Sequence, residues 1–285
     1  MSSLAALGQL GRQLAKSRVV VVTSTILVLI ALAAMVGPFF SPHSYLDSNL
    51  DARLVAPMGA AMRWFGTDDL GRDLFVRTLL GVRITLAVAI VATFVSLAIG
   101  VVYGAVAGYV GGKVDAFMMR LVDTLYALPF IFFVILLMVY FGRNFLLIFV
   151  AIGAVNWLDM ARIVRGQTLA LKEREFVESA RLMGVSPARI VFRHIMPNLM
   201  GIVVVYVTLT VPQAILIESF MSFLGLGIQE PETSLGSLVN NGVRHMESAP
   251  WVLLAPATVL AVILMCFNFL GDGLRDLLDP KEKVE

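Results

Sequence analysis

Apolar residues fall along this chain in long blocks rather than in alternation. Six blocks lie near Val19–Phe40, Arg83–Gly108, Leu121–Phe141, Phe145–Ile163, Leu199–Ser219 and Trp251–Gly271. Each is long enough to cross ~30 Å of hydrocarbon as a helix rising ~1.5 Å per residue. The pattern predicts an all-α polytopic membrane protein with six transmembrane helices. Little more than Gly142–Asn144 separates the third block from the fourth, so those two form a tight antiparallel hairpin.

Basic residues orient the blocks, because cytoplasmic segments of membrane proteins carry an excess of Lys and Arg. With the N-terminus inside, 15 of the 22 basic residues fall on inner segments and 7 on outer ones. The outer loop around Arg53 to Arg77 also carries Asp47, Asp51, Asp68, Asp69 and Asp73. Both termini are therefore expected in the cytoplasm. The chain then divides into an N-terminal segment (1–18), a transmembrane domain (19–271) and a tail (272–285). Within the domain lie outer loops at 41–82 and 220–250 and a cytoplasmic insert at 164–198. The first apolar block ends at GPFFSPH, is too long for a signal-peptide core and lacks a small-x-small cleavage site, so it is expected to remain as a span.

The insert contains EFVESARLMGVSPARIVFRHIMPN, where acids and bases crowd together with a glycine and two prolines. Phe176, Ala180 and Met183 recur at helical spacing and predict one apolar face. Gly184 supplies a helix end, and Ser186-Pro187 reads as an N-cap with proline at the first helical position. A second helix carries Ile190, Val191 and Ile195 until Pro197 breaks or kinks it. The result is a helix, a glycine turn and a helix, too polar to cross. Two readings stand: interfacial helices resting on the membrane, or a docking site for a soluble partner. The projecting turn favours docking.

Composition narrows the classes. The chain is 59% hydrophobic and 15% charged, with mean hydropathy +0.87; soluble proteins average ~45–50% apolar and ~25% charged. A net charge of +2 does not suggest nucleic acid. The single cysteine, Cys266, lies in an apolar run, which leaves no disulfide framework. His43, His194 and His245 are isolated, without the pairing of a helical metal site. GYVGGKVD is the one candidate phosphate loop, but it has three residues between the glycines where four are needed, and valine after the lysine. No catalytic, cofactor or metal residue is therefore assigned, and GYVGGKVD reads as a reentrant turn or loop. Gly100, Gly104, Gly108 and Gly112 recur every four residues and leave one helix face bare for close packing. Asp159 and Glu218 fall near the ends of spans. Glu218 is a candidate for lining or gating a path, and an interfacial anchor is the alternative. In TDDLGRDLFVR, Thr67 followed by acids predicts the start of an outer, interfacial helix leading into the second span.

The charged insert resembles the EAA signature of binding-protein-dependent ABC import permeases. Glu178, Ala180, Gly184 and Pro197 hold the matching places, with Ser179 for the first alanine, His194 where isoleucine is common and Met196 for leucine. FGTDDLGRDLF, ESFMSFLGLGIQEP and FNFLGDGLRDLLDPK resemble the oligopeptide, dipeptide and nickel branch, and most of all the C-type membrane subunits of oligopeptide permeases. The resemblance implies a type I ABC importer permease fold in the bacterial inner membrane. It implies a second homologous permease subunit, two cytoplasmic ABC ATPases that use the ATP, an extracytoplasmic peptide-binding receptor and a peptide substrate. It implies that Glu178, Ala180, Gly184, Val185, Ser186 and Pro187 couple to the ATPases, and that Asp68, Asp69, Arg72 and Asp73 face the receptor. An ATP-independent secondary transporter is the rival class. It would need ion-coupling acids at mid-membrane and would leave the insert unexplained.

Overall fold

The computed structural model describes residues 17–58, 63–141 and 145–278. Its elements are helices, with one isolated backbone bridge between Thr67 and Asp73. In chain order the helices are α1 (Arg18–Val36), α2 (Leu74–Val110), α3 (Gly112–Tyr126), α4 (Phe130–Phe141), α5 (Phe145–Lys172), α6 (Glu175–Leu182), α7 (Pro187–Ile190), α8 (Met196–Phe223), α9 (Leu235–Val243) and α10 (Pro250–Leu278). Among the described residues, four stretches are long and apolar enough to cross a membrane: Arg18–Phe39, Leu74–Val110, Pro187–Phe223 and Pro250–Asp276. They carry the first, second, fifth and sixth apolar blocks.

Three expectations need correction. The third block is not one helix: α3 stops at Tyr126 and α4 begins at Phe130. Pro129 lacks an N–H and disfavours helical geometry at Leu128, which divides the run. The 12 residues of α4 then reach only about 18 Å. The second block is longer than expected. No separate helix follows Thr67; α2 runs unbroken for 37 residues from Leu74, its start capped by Asp73, whose Oδ1 accepts from the Val76 N–H at 2.9 Å. Nor does Pro197 end the helix of the insert. Residues Val191–Ile195 form a π-helical turn, in which the Met196 N–H reaches back to the Val191 carbonyl, and the helical path from Pro187 continues to Phe223. The widened turn makes room for a ring that has no N–H to donate. The Gly142–Asn144 hairpin connection lies outside the described residues, as do Arg12, Lys16, Lys281 and Lys283.

The chain divides into two compact units, residues 90–211 and residues 1–89 with 212–285. In the first, α2 lies parallel to α5 at backbone contact. A Cβ at Gly100 would sit 2.6 Å from Met160 Cβ. At Gly104 it would overlap the Ala161 carbonyl and sit 2.9 Å from Val164 Cβ, and at Gly108 it would sit 2.8 Å from the Arg165 carbonyl. Gly112 does not continue this stripe. With Gly111 it takes positive φ (+71° and +59°) and reverses the chain into α3. That reversed helix is clamped back on α5 by charge. Arg165 donates two bonds of 2.6 Å to Asp115, and Arg162 donates one of 2.7 Å to Asp123. Tyr103 of α2 adds a bond to the Met118 carbonyl at 2.9 Å.

In the other unit α10 packs against both α1 and α9. Gly273 makes room for Val20, and Gly242 lets α9 approach the Val252 carbonyl. Arg83 of α2 donates to the carbonyls of Ala34 and Met35 at 2.5 and 2.6 Å. Those groups belong to the last turn of α1 and would otherwise lack helical partners.

The glycine contacts make a graded prediction. Gly104→Val forces α2 from α5 and lowers stability by on the order of 1–3 kcal/mol, as overpacking does. Gly166, in the same region of α5, has no atom within 4 Å of a built Cβ and an ordinary helical φ. Gly166→Ala is therefore neutral or stabilising by up to ~1 kcal/mol. Thermal unfolding of the two purified subunits in detergent measures the difference. Equal midpoints would contradict the close α2–α5 contact.

Candidate functional site

The charged insert folds as a knuckle closed by main-chain bonds. At the end of α6 the Val185 N–H donates to the Ala180 carbonyl at 3.0 Å, and the Gly184 N–H donates to the Arg181 carbonyl at 2.9 Å. This pair of bonds is the Schellman arrangement, which needs a left-handed residue between helix and exit. Gly184 supplies it at φ +75°. Ser186 is extended and Pro187 opens α7, as the sequence implies, although no Ser186 side-chain bond caps that helix. Glu175 and Glu178 occupy the first turn of α6, where carboxylates oppose the positive end of the helix dipole.

One side of the knuckle is anchored and the other is bare. Val177, Ala180, Ile190, Val191 and Ile195 are buried in a cluster with Val101, Ala105 and Tyr109 of α2, Met160 and Val164 of α5, and Leu199 and Val203 of α8. Val185 packs partly against the same cluster. The apolar stripe expected from spacing is therefore displaced. Ala180 is buried, but Phe176 and Met183 are exposed, and Val177 takes their place. An eight-residue helix offers two overlapping stripes through Ala180, and periodicity cannot choose between them. At the tip Leu182 is 84% exposed and Met183 75% exposed, flanking a glycine with no atom within 4 Å of a built Cβ. Glu178, Ser186 and Pro187 are also exposed.

The segment Phe65–Phe75 is held from within. Thr67 Oγ1 donates to the Ala52 carbonyl at 2.7 Å and accepts from the Val55 N–H at 2.8 Å. Asp68 Oδ1 accepts from the N–H groups of Leu70 and Arg72, both at 2.9 Å. Arg72 donates to Asp68 Oδ2 at 2.7 Å and, through both terminal nitrogens, to Glu230 at 2.8 Å. Arg77, 1% exposed, adds a bond to Glu230 at 3.2 Å and approaches Asp68 at 3.4 Å. Two cations and two anions thus close a neutral network around the start of α2. Of the four residues expected to face a receptor, Asp68, Arg72 and Asp73 are buried, and Asp69 alone shows its side chain, 3.9 Å from His245. Arg77 and Glu230 escaped the sequence reading. The available signal was a charge inside the apolar run that opens α2, together with an acid beside Pro231.

Glu218 lies in α8 with 0% exposure. It accepts from Ser222 Oγ at 2.7 Å, Thr85 Oγ1 at 3.1 Å and Ser219 Oγ at 3.5 Å. Thr85 in turn accepts from the Leu235 N–H at 3.1 Å, so the carboxyl joins α2, α8 and the start of α9. Among the described residues no three His, Cys, Asp or Glu side chains come together to hold a metal ion.

The family model described as "Binding-protein-dependent transport system inner membrane component" matches residues 100–284, and the model of the N-terminal transmembrane domain of oligopeptide transport permease C matches residues 7–57. The chain is 54% identical over 272 residues to the oligopeptide transport system permease protein OppC of Escherichia coli (strain K12), covering 95% of this chain and 90% of that one. It is 45% identical over 271 residues to the dipeptide transport system permease protein DppC of Bacillus subtilis, covering 95% and 84%. Among solved structures, an inward-facing MetNI methionine ABC transporter chain matches with TM-score 0.58 and 22% identity, over 72% of this chain and 96% of that chain. That likeness concerns the fold.

The charge network carries a pH dependence. Hydrogen bonds and charge from Arg72, assisted by Arg77, hold the Glu230 carboxyl below its usual range. A depressed folded-state value means the stabilisation is complete above the ordinary carboxylate range and is lost as pH falls through the depressed value. Backbone amides of residues 66–73 should stay protected in hydrogen exchange at neutral pH and lose protection on acidification. Glu230→Gln should lose it already at neutral pH. Unchanged protection in that variant would show that the network does not hold the segment.

Proposed function

The chain belongs to the family of binding-protein-dependent transport system inner membrane components, and on that footing we propose that it is a non-catalytic permease subunit of an ATP-driven peptide importer. It forms half of the translocation path with a second, homologous membrane subunit. Two cytoplasmic ATPases supply the energy and use the ATP, and an extracytoplasmic receptor delivers the peptide. Oligopeptide cargo is favoured by the relatives, which are oligopeptide permeases at 51–55% identity. The dipeptide relative marks the neighbouring cargo class.

The observation that carries the coupling role is the one-sided knuckle. Its inner face is fixed in a hydrophobic cluster shared with α2, α5 and α8, while Leu182, Met183 and Gly184 project without partners. A pair of helices merely resting on a membrane has no need of a left-handed glycine at its tip. Glu178, Ala180, Gly184, Val185, Ser186 and Pro187 thus divide the labour. Ala180 and Val185 fasten the turn, Gly184 and Pro187 shape it, and Glu178 and Ser186 lie on its exposed side with Leu182 and Met183. ATP-driven closure of the ATPases displaces the tip, and packed helices carry the displacement because close-packed interiors deform little.

Six crossings with both termini in the cytoplasm complete the proposal. The basic-residue asymmetry supports the orientation, and the two crossings beyond the four long apolar stretches are assigned to the third and fourth apolar blocks, a reading supported by the packing of α4 on α5. A cysteine at Glu232, which is exposed, should react with an impermeant thiol reagent added outside intact cells, and one at Ser186 should not. The native Cys266 is buried. The opposite labelling pattern would overturn the topology.

Gly184→Asp tests the coupling role. A side chain in the left-handed region adds roughly 1 kcal/mol of backbone strain and enlarges the tip. The variant should insert in the membrane but retain less ATPase on purification and import no peptide, while the receptor binds peptide as before. Glu178→Ala, which removes a charge without distorting the turn, should be milder. Normal uptake with normal ATPase retention in Gly184→Asp would refute the proposal.

A further inference from the structure

Among the α2 residues that seat the knuckle is one aromatic ring. Tyr109, in the last turn of α2 and 9% exposed, is buried in the same cluster as Val177 and Ala180. Two cations lie over it. The Arg181 guanidinium carbon of α6 is 5.2 Å from the ring centroid, and the Lys172 ammonium at the end of α5 is 5.9 Å away. Both fall within the ~6 Å reach of a cation–π interaction. Neither cation forms an ion pair among the described residues. Arg181 is also part of the turn, because its carbonyl accepts the Gly184 N–H. One residue therefore closes the knuckle with its backbone and grips α2 with its side chain. The cluster contacts of Val177 and Ala180 are apolar and non-directional. The ring contact adds a directional restraint beside the exposed tip, where displacement would enter.

We propose that Tyr109 is a positioning residue for energy coupling: clasped by Arg181 and steadied by Lys172, its ring transmits movement of the knuckle into α2. This deepens the coupling role proposed above and rests on it. Tyr109 is buried and offers no surface to an ATPase, so its substitution separates transmission from docking.

The test uses the complete transporter in proteoliposomes, with ATPases and receptor, and reads peptide imported per ATP hydrolysed alongside ATPase retention. Tyr109→Phe keeps the ring face and should match the parent. Tyr109→Leu should retain the ATPases and hydrolyse ATP, but import roughly three- to tenfold less peptide per ATP, the scale on which residues between two coupled sites act. Arg181→Met, at an exposed position that does not threaten folding, should lower the same ratio and cost nothing further when combined with Tyr109→Leu. An unchanged ratio in Tyr109→Leu overturns the inference, and so does an Arg181→Met loss of equal size in both backgrounds. If Tyr109→Leu fails to assemble, the ratio in Arg181→Met against Arg181→Lys decides alone: a loss only where the charge is removed supports the clasp, and equal ratios refute it. A parent complex that couples no ATP to import would instead defeat the importer reading itself.

Discussion

Residues 90–211 depend on two helices meeting at their backbones. Gly100, Gly104 and Gly108 bring α2 against α5 so closely that a methyl group at any of them would collide with main chain or a Cβ. In a bilayer the usual hydrophobic drive between helices is weak, and close packing of small residues takes its place. Once α2 and α5 are joined, the other contacts follow. Asp115 and Asp123 of α3 find Arg165 and Arg162 on α5, and the cluster that seats α6 draws its floor from both long helices. A shift of α2 along α5 would disturb the ion pairs and the seat together.

The remaining residues add a buried charge network to their own close glycine contacts. Arg72, Arg77, Asp68 and Glu230 form a neutral set, with Arg77 almost entirely buried and its Nε and Nη1 held by charge rather than by hydrogen bonds. Removing water from charges is costly, so such a set persists only where partners and geometry are well matched. The paired two-nitrogen bond from Arg72 to Glu230 meets that demand. The same demand explains why acids that look available in the sequence are mostly engaged in the structure.

Much of this was legible in the residues. The helical class and four of the long apolar stretches follow from block length, and the four-residue glycine spacing gave the α2 contact at three of its four positions. Gly184 and Ser186-Pro187 gave the knuckle. What escaped depends on contacts distant in sequence. Spacing offered two faces for α6, and only its seat on α2 and α5 selects Val177 over Phe176 and Met183. TDDLGRDLF looked like a helix start at Thr67, but Asp68 is drawn to Arg72 and Arg77, and the cap falls to Asp73. Pro197 read as a break or a kink, and the five-residue π-helical turn that carries the helix past it leaves no mark in composition. The Arg181–Tyr109 contact joins residues 72 positions apart in a pattern no local rule reveals.

The knuckle is closed by two main-chain hydrogen bonds and one left-handed glycine, with no side chain at its tip contributing to the closure. Shape and identity are thereby separated. Leu182 and Met183 are exposed and their side chains take no part in that closure, so the chemistry of the tip can change while its fold is kept. A lineage can thus keep the form of this turn and rewrite the surface it presents.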